Sequence, residues 1–291
     1  MKAPISVVTT FGLGRTPAQV GMLEVLAERG IVADHIAGTS LGAINASLLA
    51  AASSADEMTE FWAWIHDEIL SSPMRAIARG LTSRQARKQE KQVRERFAQL
   101  LPATFEELHV PLSLSCTALE TGAEVVIDSG DLPEAVMASC ALPGVFPPVS
   151  IAGAPLIDGG LVAGVPLQAI PERTRTVIVL DTGHSAVSPD VVAGYRWWEV
   201  GALSYAHQIR GQAVHALVRM ATRVPVVVLS TSGGRLLDFD DPTSAIEAGR
   251  RAANQQLDVL PARLRKGVYN LPSGLDEFEV LQDLQVPASD G

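Results

Sequence analysis

The sequence predicts an α/β fold in which a mainly parallel β-sheet is covered by helices on both faces. Short apolar runs, such as Ile5–Val8 and Val177–Leu180, have the length and composition of fully buried strands. Between them lie longer segments whose apolar residues recur at helical spacing, as in Ala18–Arg29. Because parallel strands need a crossover connection, which is usually a helix, this alternation favours a parallel sheet enclosed by helices.

Glycine and proline residues, which are typical of turns and helix ends, separate the predicted elements. The first part of the chain is assigned, in order, to a strand over Ile5–Thr10, a turn at Gly12–Gly14, a helix over Ala18–Arg29 that stops at Gly30, a strand at His35–Ala37, a helix from Leu41, and a wholly helical stretch over Ala55–Leu101. The second part is assigned to strands over Val110–Cys116 and Glu124–Asp128, a helix over Val136–Leu142, a strand within Pro171–Asp181, a helix over Trp197–Thr222, a last strand over Pro225–Leu229, and a helix over Ala245–Leu257.

We expect a single domain over residues 1–291, because the chain shows no internal repeat and no low-complexity linker. The helical segment 55–101 is interpreted as a cap-like insertion. Residues 261–291 form an acidic tail, which is either an ordered edge of the domain or a frayed end.

Composition and charge exclude several classes of protein. Hydrophobic residues make up 47% of the 291 residues, which is enough for a sizeable core and argues against global disorder. The net charge of −9 argues against nucleic-acid binding, because phosphate contacts need a basic surface. The two cysteines, Cys116 and Cys140, are too few for a disulfide scaffold. With no signal-peptide pattern and no apolar run of about 18 residues, a cytoplasmic protein is expected.

The segment Gly38–Gly42 fits the pattern G-x-S-x-G and lies between a predicted strand and a predicted helix. A serine at such a turn is held in a strained conformation with its hydroxyl exposed. Gly38 and Gly42 lack the Cβ atoms that would clash where the chain doubles back. The helix N-terminus also directs N–H groups and a positive dipole end at the reacting centre. This context favours Ser40 as a nucleophile over a plain turn between a strand and a helix.

A serine hydroxyl becomes a strong nucleophile only when a base removes its proton. None of the six histidines stands in a glycine- or proline-framed loop, and His184, which follows a predicted strand, is the best placed of them. Asp158 follows an apolar strand and precedes Gly159 and Gly160, so that other groups can approach it closely. Its position suits either a base for Ser40 or a turn aspartate that bonds its own backbone.

Taken together, these motifs resemble those of the patatin-like phospholipases. Gly38–Ala43, of the form Gly-Thr-Ser-x-Gly-Ala, and Asp158–Gly160 are similar to the segments that carry the family's serine and aspartate. Ala138–Val149 resembles the family's approach to its aspartate, and Ile246–Gly249 resembles its closing helix. The likeness extends over residues 5–255.

The resemblance implies a three-layer α/β/α sandwich with a mainly parallel central sheet, and a reaction without histidine. Ser40 would attack an ester carbonyl, and Asp158 would take the proton of the serine and return it. The family's oxyanion hole is a glycine-rich loop after the first strand. That loop corresponds here to Gly12, Leu13, Gly14 and Arg15. The resemblance implies no metal ion and no cofactor.

The loop departs from the family's pattern, because Leu13 replaces a glycine and the last glycine is missing. Backbone N–H groups can still line the hole, but the loss of one oxyanion donor typically lowers the rate by about 10²–10³. A milder departure is Gly164, which stands where relatives often carry Asn.

The sequence defines the substrate only as an acyl ester or a lipid. The basic segment 75–96 carries eight Lys or Arg residues against two Glu, a formal charge of +6. Two interpretations of this segment remain open. It is either a solvated helix face, or a cap that binds an anionic carrier, coenzyme A or lipid headgroups at a membrane surface.

Three functions are compatible with these residues. The first is hydrolysis of an acyl ester of the esterase or phospholipase A type. The second is acyl transfer or thioester cleavage, in which another acceptor captures the acyl group from Ser40. The third is a catalytically silent relative that binds lipid or a partner; the altered glycine loop favours it, and the intact Ser40 and Asp158 oppose it.

Overall fold

The computed structural model describes residues 1–70, 83–183, 188–231, 241–272, 275 and 277–286. Its strands are β1 Ile5–Thr9, β2 His35–Thr39, β3 Leu112–Ala118, β4 Glu124–Ile127, β5 Val149–Ile151, β6 Ala154–Asp158, β7 Thr176–Asp181, β8 Pro225–Ser230 and β9 Gly267–Tyr269. They form one sheet with the order β5-β6-β3-β2-β1-β7-β8-β9, and β4 pairs with β3 beside this path. The pairings from β3 through β2, β1, β7 and β8 to β9 are parallel. The pairings that join β4, β5 and β6 to the sheet are antiparallel.

Helices connect these strands and cover the sheet. In the described ranges they are α1 Ala18–Glu28, α2 Leu41–Ala50, α3 Ala55–Trp64, α4 Ser83–Leu100, α5 Leu132–Ser139, α6 Pro189–Ala193, α7 Trp197–Ala221, α8 Pro242–Asp258 and α9 Glu279–Gln282. Helices α1, α2, α7 and α8 agree with the sequence prediction to within three residues, whereas α6 and α9 were not predicted.

Successive residues of the central strands face opposite layers of helices, as the two-residue period of a strand requires. Val7 and Ile178 belong to an apolar cluster that includes residues of α1, α2 and α3. Val8 and Val177 belong to a second cluster, which contains Leu217 of α7. Every residue of β1 and of β7 is buried. The predicted three-layer α/β/α fold with a mainly parallel sheet is confirmed.

The helix predicted over Val136–Leu142 begins and ends earlier, at Leu132 and Ser139. Its start is fixed by Asp131, whose side chain accepts a hydrogen bond of 2.8 Å from the N–H of Glu134. An aspartate at this position satisfies an N–H group that the helix itself leaves unpaired. The helix therefore ends immediately before Cys140, a residue that contacts Ser40.

The prediction that β8 is the last strand is wrong. β9 lies within the acidic tail and pairs in parallel with β8, where Val226 is aligned with Val268. Tyr269 at the end of β9 is 1% exposed, so this short strand is packed into the sheet edge. The described part of the tail, up to residue 286, is therefore an ordered edge of the domain.

The described parts of the stretch predicted as helical over Ala55–Leu101 are helical up to Leu100. A π-helical turn, Ile65–Leu70, follows α3, and α4 begins at Ser83. Residues 71–82, which include the first part of the basic segment 75–96, lie outside the described residues.

Three basic side chains of α4, those of Lys91, Arg94 and Arg96, make contacts within the chain. Arg94 forms ion pairs with Glu90 and with Glu134 of α5. The guanidinium carbon of Arg96 lies 5.7 Å from the ring centroid of Trp64, within the range of a cation–π contact. The contacts with Glu134 and Trp64 hold α4 against α5 and α3.

Helices α1 and α8 approach each other closely at two glycines. A Cβ atom on Gly21 would lie 2.0 Å from the carbonyl oxygen of Ile246. A Cβ atom on Gly249 would lie 1.9 Å from the carbonyl oxygen of Ala18. Because both obstacles are backbone atoms, neither can rotate away.

We therefore expect Gly21→Ala to lower the free energy of unfolding by roughly 1–3 kcal/mol, the usual cost of overpacking. The matched control is Gly211→Ala in α7, where an added Cβ meets nothing within 4 Å. That variant should gain up to about 1 kcal/mol from helix propensity. Urea denaturation of both variants measures the free energy of unfolding. If it changes in the same direction in both, the close contact between α1 and α8 is contradicted.

Candidate active site

Ser40 lies at the turn between β2 and α2, where the backbone is strained. Its φ of 54° and ψ of −138° lie in a region that residues with a side chain rarely adopt. The N–H of Ala43 donates a hydrogen bond of 2.8 Å to the carbonyl of Ser40, which closes the first turn of α2. The strained serine between strand and helix is the geometry expected of a nucleophile in the G-x-S-x-G pattern.

The glycines around the site leave room for close backbone approach. A Cβ atom on Gly42 would lie 2.3 Å from the carbonyl oxygen of Thr10, and one on Gly38 would collide with α2. A Cβ atom on Gly159 would lie 1.9 Å from the carbonyl oxygen of Ser115. These positions accept no larger residue without movement of the backbone.

Strand β3 lies between the strands that carry Ser40 and Asp158. Thr39 of β2 is aligned with Ser115 of β3, and Asp158 of β6 is aligned with Cys116 of β3. The two registers therefore place Ser40 and Asp158 at about the same level on either side of Cys116. The Oγ of Ser40 donates a hydrogen bond of 2.6 Å to Oδ2 of Asp158.

Asp158 is oriented by hydrogen bonds from three directions. Its Oδ1 accepts a bond of 2.7 Å from the N–H of Gly160. Its own N–H donates to the carbonyl of Ala141 over 3.0 Å, and its carbonyl accepts from the hydroxyl of Thr117 over 2.8 Å. The carboxylate is thus held in the orientation that faces Ser40.

Burial dominates the electrostatics of Asp158, which is only 2% exposed. Burial raises the pKa of Asp158 to about 6, while the hydrogen bonds from Ser40 and Gly160 lower it. A carboxyl group with this pKa is ionised at neutral pH and is still basic enough to accept a proton, as a general base requires.

Ser139 and Cys140, at the C-terminal end of α5, support the backbone of Ser40. The Oγ of Ser139 accepts a hydrogen bond of 3.0 Å from the N–H of Ser40 and donates one of 2.8 Å to the carbonyl of Ser115. The thiol of Cys140 donates to the carbonyl of Ser40 over 3.0 Å. Burial, with the charge of Asp158, raises the pKa of Cys140, so the thiol stays protonated and remains a donor.

Sequence reasoning placed these two residues only in a segment of family resemblance and missed their contacts with Ser40. The available signal was weak: Ser139 and Cys140 are two small residues that lie within the otherwise apolar segment Val136–Leu142.

The loop after β1 lies beside Ser40 and Asp158, because β1 and β2 are parallel neighbours whose carboxyl ends meet at one edge. The position of Gly160 gives the spacing: a Cβ atom there would lie 3.6 Å from Cβ of Phe11 and 3.7 Å from Cβ of Ser40. The structure therefore brings the predicted oxyanion loop to the same edge of the sheet as Ser40.

Within this loop Leu13–Arg15 form a short 3₁₀ turn. Leu13 has a φ of 49°, a conformation that the usual glycine would adopt more easily. A Cβ atom on Gly12 would lie 2.0 Å from Oγ1 of Thr182, so the loop is tightly packed. The N–H of Arg15 donates to the carbonyl of Gly12 over 3.0 Å, which engages this predicted oxyanion donor within the turn.

No described histidine is hydrogen-bonded to the side chain of Ser40 or Asp158. His35 is buried and its Nε2 is 3.0 Å from Oγ of Ser113. Burial, and then the charge of Arg173, lowers the pKa of His35 to about 4. His184, the alternative base, lies outside the described residues.

Within the described ranges, no group of three or more His, Cys, Asp or Glu side chains is placed to hold a metal ion. None of the described helices combines the length and the apolar character needed to cross a bilayer.

Fold and site together define an α/β protein with a strained serine, hydrogen-bonded to a buried aspartate, at one edge of its sheet. A family model described as patatin-like phospholipase matches residues 12–170. The chain belongs to the patatin-like phospholipase family.

Several known proteins are similar to parts of this chain. An uncharacterized NTE family protein of Mycobacterium tuberculosis (strain ATCC 25618 / H37Rv) is 30% identical over 159 residues, which cover 55% of this chain and 43% of that protein. Lysophospholipase NTE1 of Mycosarcoma maydis is 26% identical over 211 residues, which cover 67% of this chain and 10% of that protein. This chain therefore matches less than half the length of these curated relatives.

Among solved structures, the crystal structure of VipD from Legionella pneumophila has a TM-score of 0.50 to this chain. The match covers 88% of this chain and 67% of that chain, at 12% sequence identity. At this identity the likeness concerns the fold.

The strain at Ser40 leads to a stability prediction. Ser40→Gly should be more stable than Ser40→Ala by about 1 kcal/mol, because glycine adopts a positive φ without steric cost. Both variants lose the same hydroxyl, so its hydrogen bond cancels in the comparison. Thermal denaturation of the two variants provides the measurement.

The control for this comparison is Ser204, an exposed residue within α7. There the order should reverse, with glycine about 1 kcal/mol less stable than alanine, as helix propensity dictates. The same order at both positions would refute the strain at Ser40.

Proposed function

We propose that this protein is a serine acyl hydrolase that cleaves carboxylic ester bonds with a Ser40–Asp158 dyad. The observation that carries the proposal is the 2.6 Å hydrogen bond from Oγ of Ser40 to Oδ2 of Asp158. Membership of the patatin-like phospholipase family and similarity to a lysophospholipase support lipid esters as substrates.

In the first half of the proposed reaction, Oγ of Ser40 attacks the ester carbonyl carbon while its proton passes to Asp158. The π-electron pair of the carbonyl moves to its oxygen, which becomes an oxyanion. When this tetrahedral intermediate collapses, the bond to the leaving alcohol breaks. Asp158 then returns the proton to the alcohol oxygen, and an acyl-Ser40 ester remains.

In the second half, a water molecule takes the place of the alcohol. Asp158 accepts a proton from the water as its oxygen attacks the acyl-Ser40 carbonyl. Collapse of the second tetrahedral intermediate releases the carboxylic acid, and the proton on Asp158 returns to Oγ of Ser40. One carboxylate therefore serves as base and acid in turn, as general acid–base catalysis allows.

The developing oxyanion needs donors on the side of the loop after β1. We assign this role to the N–H groups of Leu13 and Gly14, with Gly12 allowing the loop its tight packing. The N-terminus of α2 adds the positive end of a helix dipole at Ser40. The N–H of Arg15 is bonded to the carbonyl of Gly12 and is not included among the proposed donors.

The described contacts of the basic segment 75–96 limit which of its residues we propose to bind an anionic partner. Lys91 lies 3.6 Å from Glu95, and Arg94 and Arg96 contact groups within the chain. Lys88 is exposed. We therefore assign any contact with an anionic carrier or membrane surface to the part of the segment before Glu90.

The dyad can be tested by ester hydrolysis. Wild type should hydrolyse p-nitrophenyl esters, and Ser40→Ala and Asp158→Asn should each lower kcat by about 10⁴-fold, as loss of a nucleophile or its base does in other serine hydrolases. The surface variant Asp128→Asn is the control and should keep the wild-type rate. Hydrolysis rates measured over a series of acyl-chain lengths identify the length that the enzyme prefers.

A fluorophosphonate probe completes this test, because it reports an activated serine without turnover. It should label wild type and leave Ser40→Ala unlabelled. Activity that survives Ser40→Ala would disprove the dyad. Absence of both hydrolysis and labelling in wild type would instead identify a catalytically silent member of the family.

The raised pKa of Asp158 predicts the pH dependence of the reaction. Only the ionised carboxylate accepts the serine proton, so kcat/KM should fall about tenfold per pH unit below an apparent pKa of about 6. Above pH 7 the rate should be level. Initial rates on a neutral ester between pH 4.5 and 8 measure this profile, and a constant rate across that range would contradict the assignment of the base.

A further inference from the structure

Two buried hydroxyls near Ser40 and Asp158, those of Thr39 and Tyr205, have no hydrogen-bond partner among the described residues. The hydroxyl of Tyr205, on α7, is buried and bonds to none of them. A buried hydroxyl without a partner is destabilising, and native proteins contain few such groups. Such an unpaired hydroxyl is explained if it forms a hydrogen bond with the substrate during the reaction.

Tyr205 packs against a small apolar cluster that includes Phe11, a residue of the loop that follows β1. Phe11, Ala206 and Ile209 form a small apolar cluster, and Tyr205 and Leu13 pack against it. This cluster is separate from the two large clusters of the core. Tyr205 therefore contacts the same apolar group as the loop to which we assign the oxyanion donors.

The Tyr205 hydroxyl also lies in the electrostatic field of the dyad. Burial raises the pKa of Tyr205, and the negative charge of Asp158 raises it further. The phenol is thus a permanent hydrogen-bond donor at neutral pH. Asp158 is not its partner: the carboxylate oxygens accept from Ser40 and Gly160, and the Tyr205 hydroxyl makes no hydrogen bond to a described residue.

We propose that Tyr205 is a further catalytic residue, whose hydroxyl donates a hydrogen bond to the oxyanion of both tetrahedral intermediates. It adds a side-chain donor to a loop in which the N–H of Arg15 is already engaged. Tyr205 keeps its proton throughout: the serine proton moves to Asp158, and the carbonyl electron pair moves to the oxygen that Tyr205 contacts. This assignment rests on the proposed acyl hydrolase function.

The test is Tyr205→Phe, assayed with a p-nitrophenyl ester that wild type hydrolyses. Loss of one oxyanion donor should lower kcat by about 10²-fold. The KM should change less than twofold, because the interaction forms only in the transition state. The midpoint of thermal unfolding should stay the same or rise, since the variant no longer buries an unpaired hydroxyl.

Tyr269→Phe is the matched control. The Tyr269 hydroxyl is paired, accepting from the N–H of Arg265 over 2.8 Å and donating to its carbonyl over 3.1 Å. This variant should lower the unfolding midpoint and leave kcat at the wild-type value. Tyr205→Phe should therefore lower kcat without lowering the unfolding midpoint, and Tyr269→Phe should lower the unfolding midpoint without lowering kcat.

Each other outcome has a defined meaning. A wild-type kcat in Tyr205→Phe, a change confined to KM, or a loss of kcat with a lower unfolding midpoint would overturn the role of Tyr205. None of these results would affect the dyad, which Ser40→Ala tests separately. If wild type shows neither hydrolysis nor fluorophosphonate labelling, the proposed function fails, and the role of Tyr205 fails with it.

Discussion

A short hydrogen bond between a strained serine and a buried carboxylate places strict demands on the surrounding structure. Oγ of Ser40 and Oδ2 of Asp158 lie 2.6 Å apart, in surroundings where burial opposes the charge of the carboxylate. A bond of this length tolerates little displacement. Both residues are accordingly fixed through their backbones. Ser139 and Cys140 are hydrogen-bonded to the backbone of Ser40. The backbone of Asp158 is hydrogen-bonded to Ala141 and Thr117.

The two helical layers contribute differently to this edge of the sheet. α2 begins directly after Ser40, and α5 ends at the residues that hold the serine backbone, so these helices set the position of Ser40. α7, whose residues Ala213 and Leu217 belong to the second core cluster, also carries Tyr205, which packs against the cluster that contains Phe11 of the loop after β1. In the proposed reaction, an ester carbonyl at Ser40 would lie close to both Asp158 and that loop.

Local patterns were sufficient for much of the fold and for the two central residues of the site. The apolar runs of β1 and β7 identify buried strands, and Ser40 and Asp158 stand out because glycines surround them. Features that depend on distant parts of the chain were missed. β9 is only three residues long and is a strand because β8 lies beside it. Tyr205 looks like any helical residue until its hydroxyl is seen to be buried without a partner.

The position of β3 between β2 and β6 has a consequence for protein design. Adjacent strands in a sheet lie about 4.8 Å apart, a spacing set by backbone hydrogen bonds and independent of side chains. The distance between the backbones that carry Ser40 and Asp158 is thus two steps of a regular lattice. To transplant the pair into another scaffold, a designer would have to copy three strands and their registers, while the lengths of the connecting loops could be chosen freely.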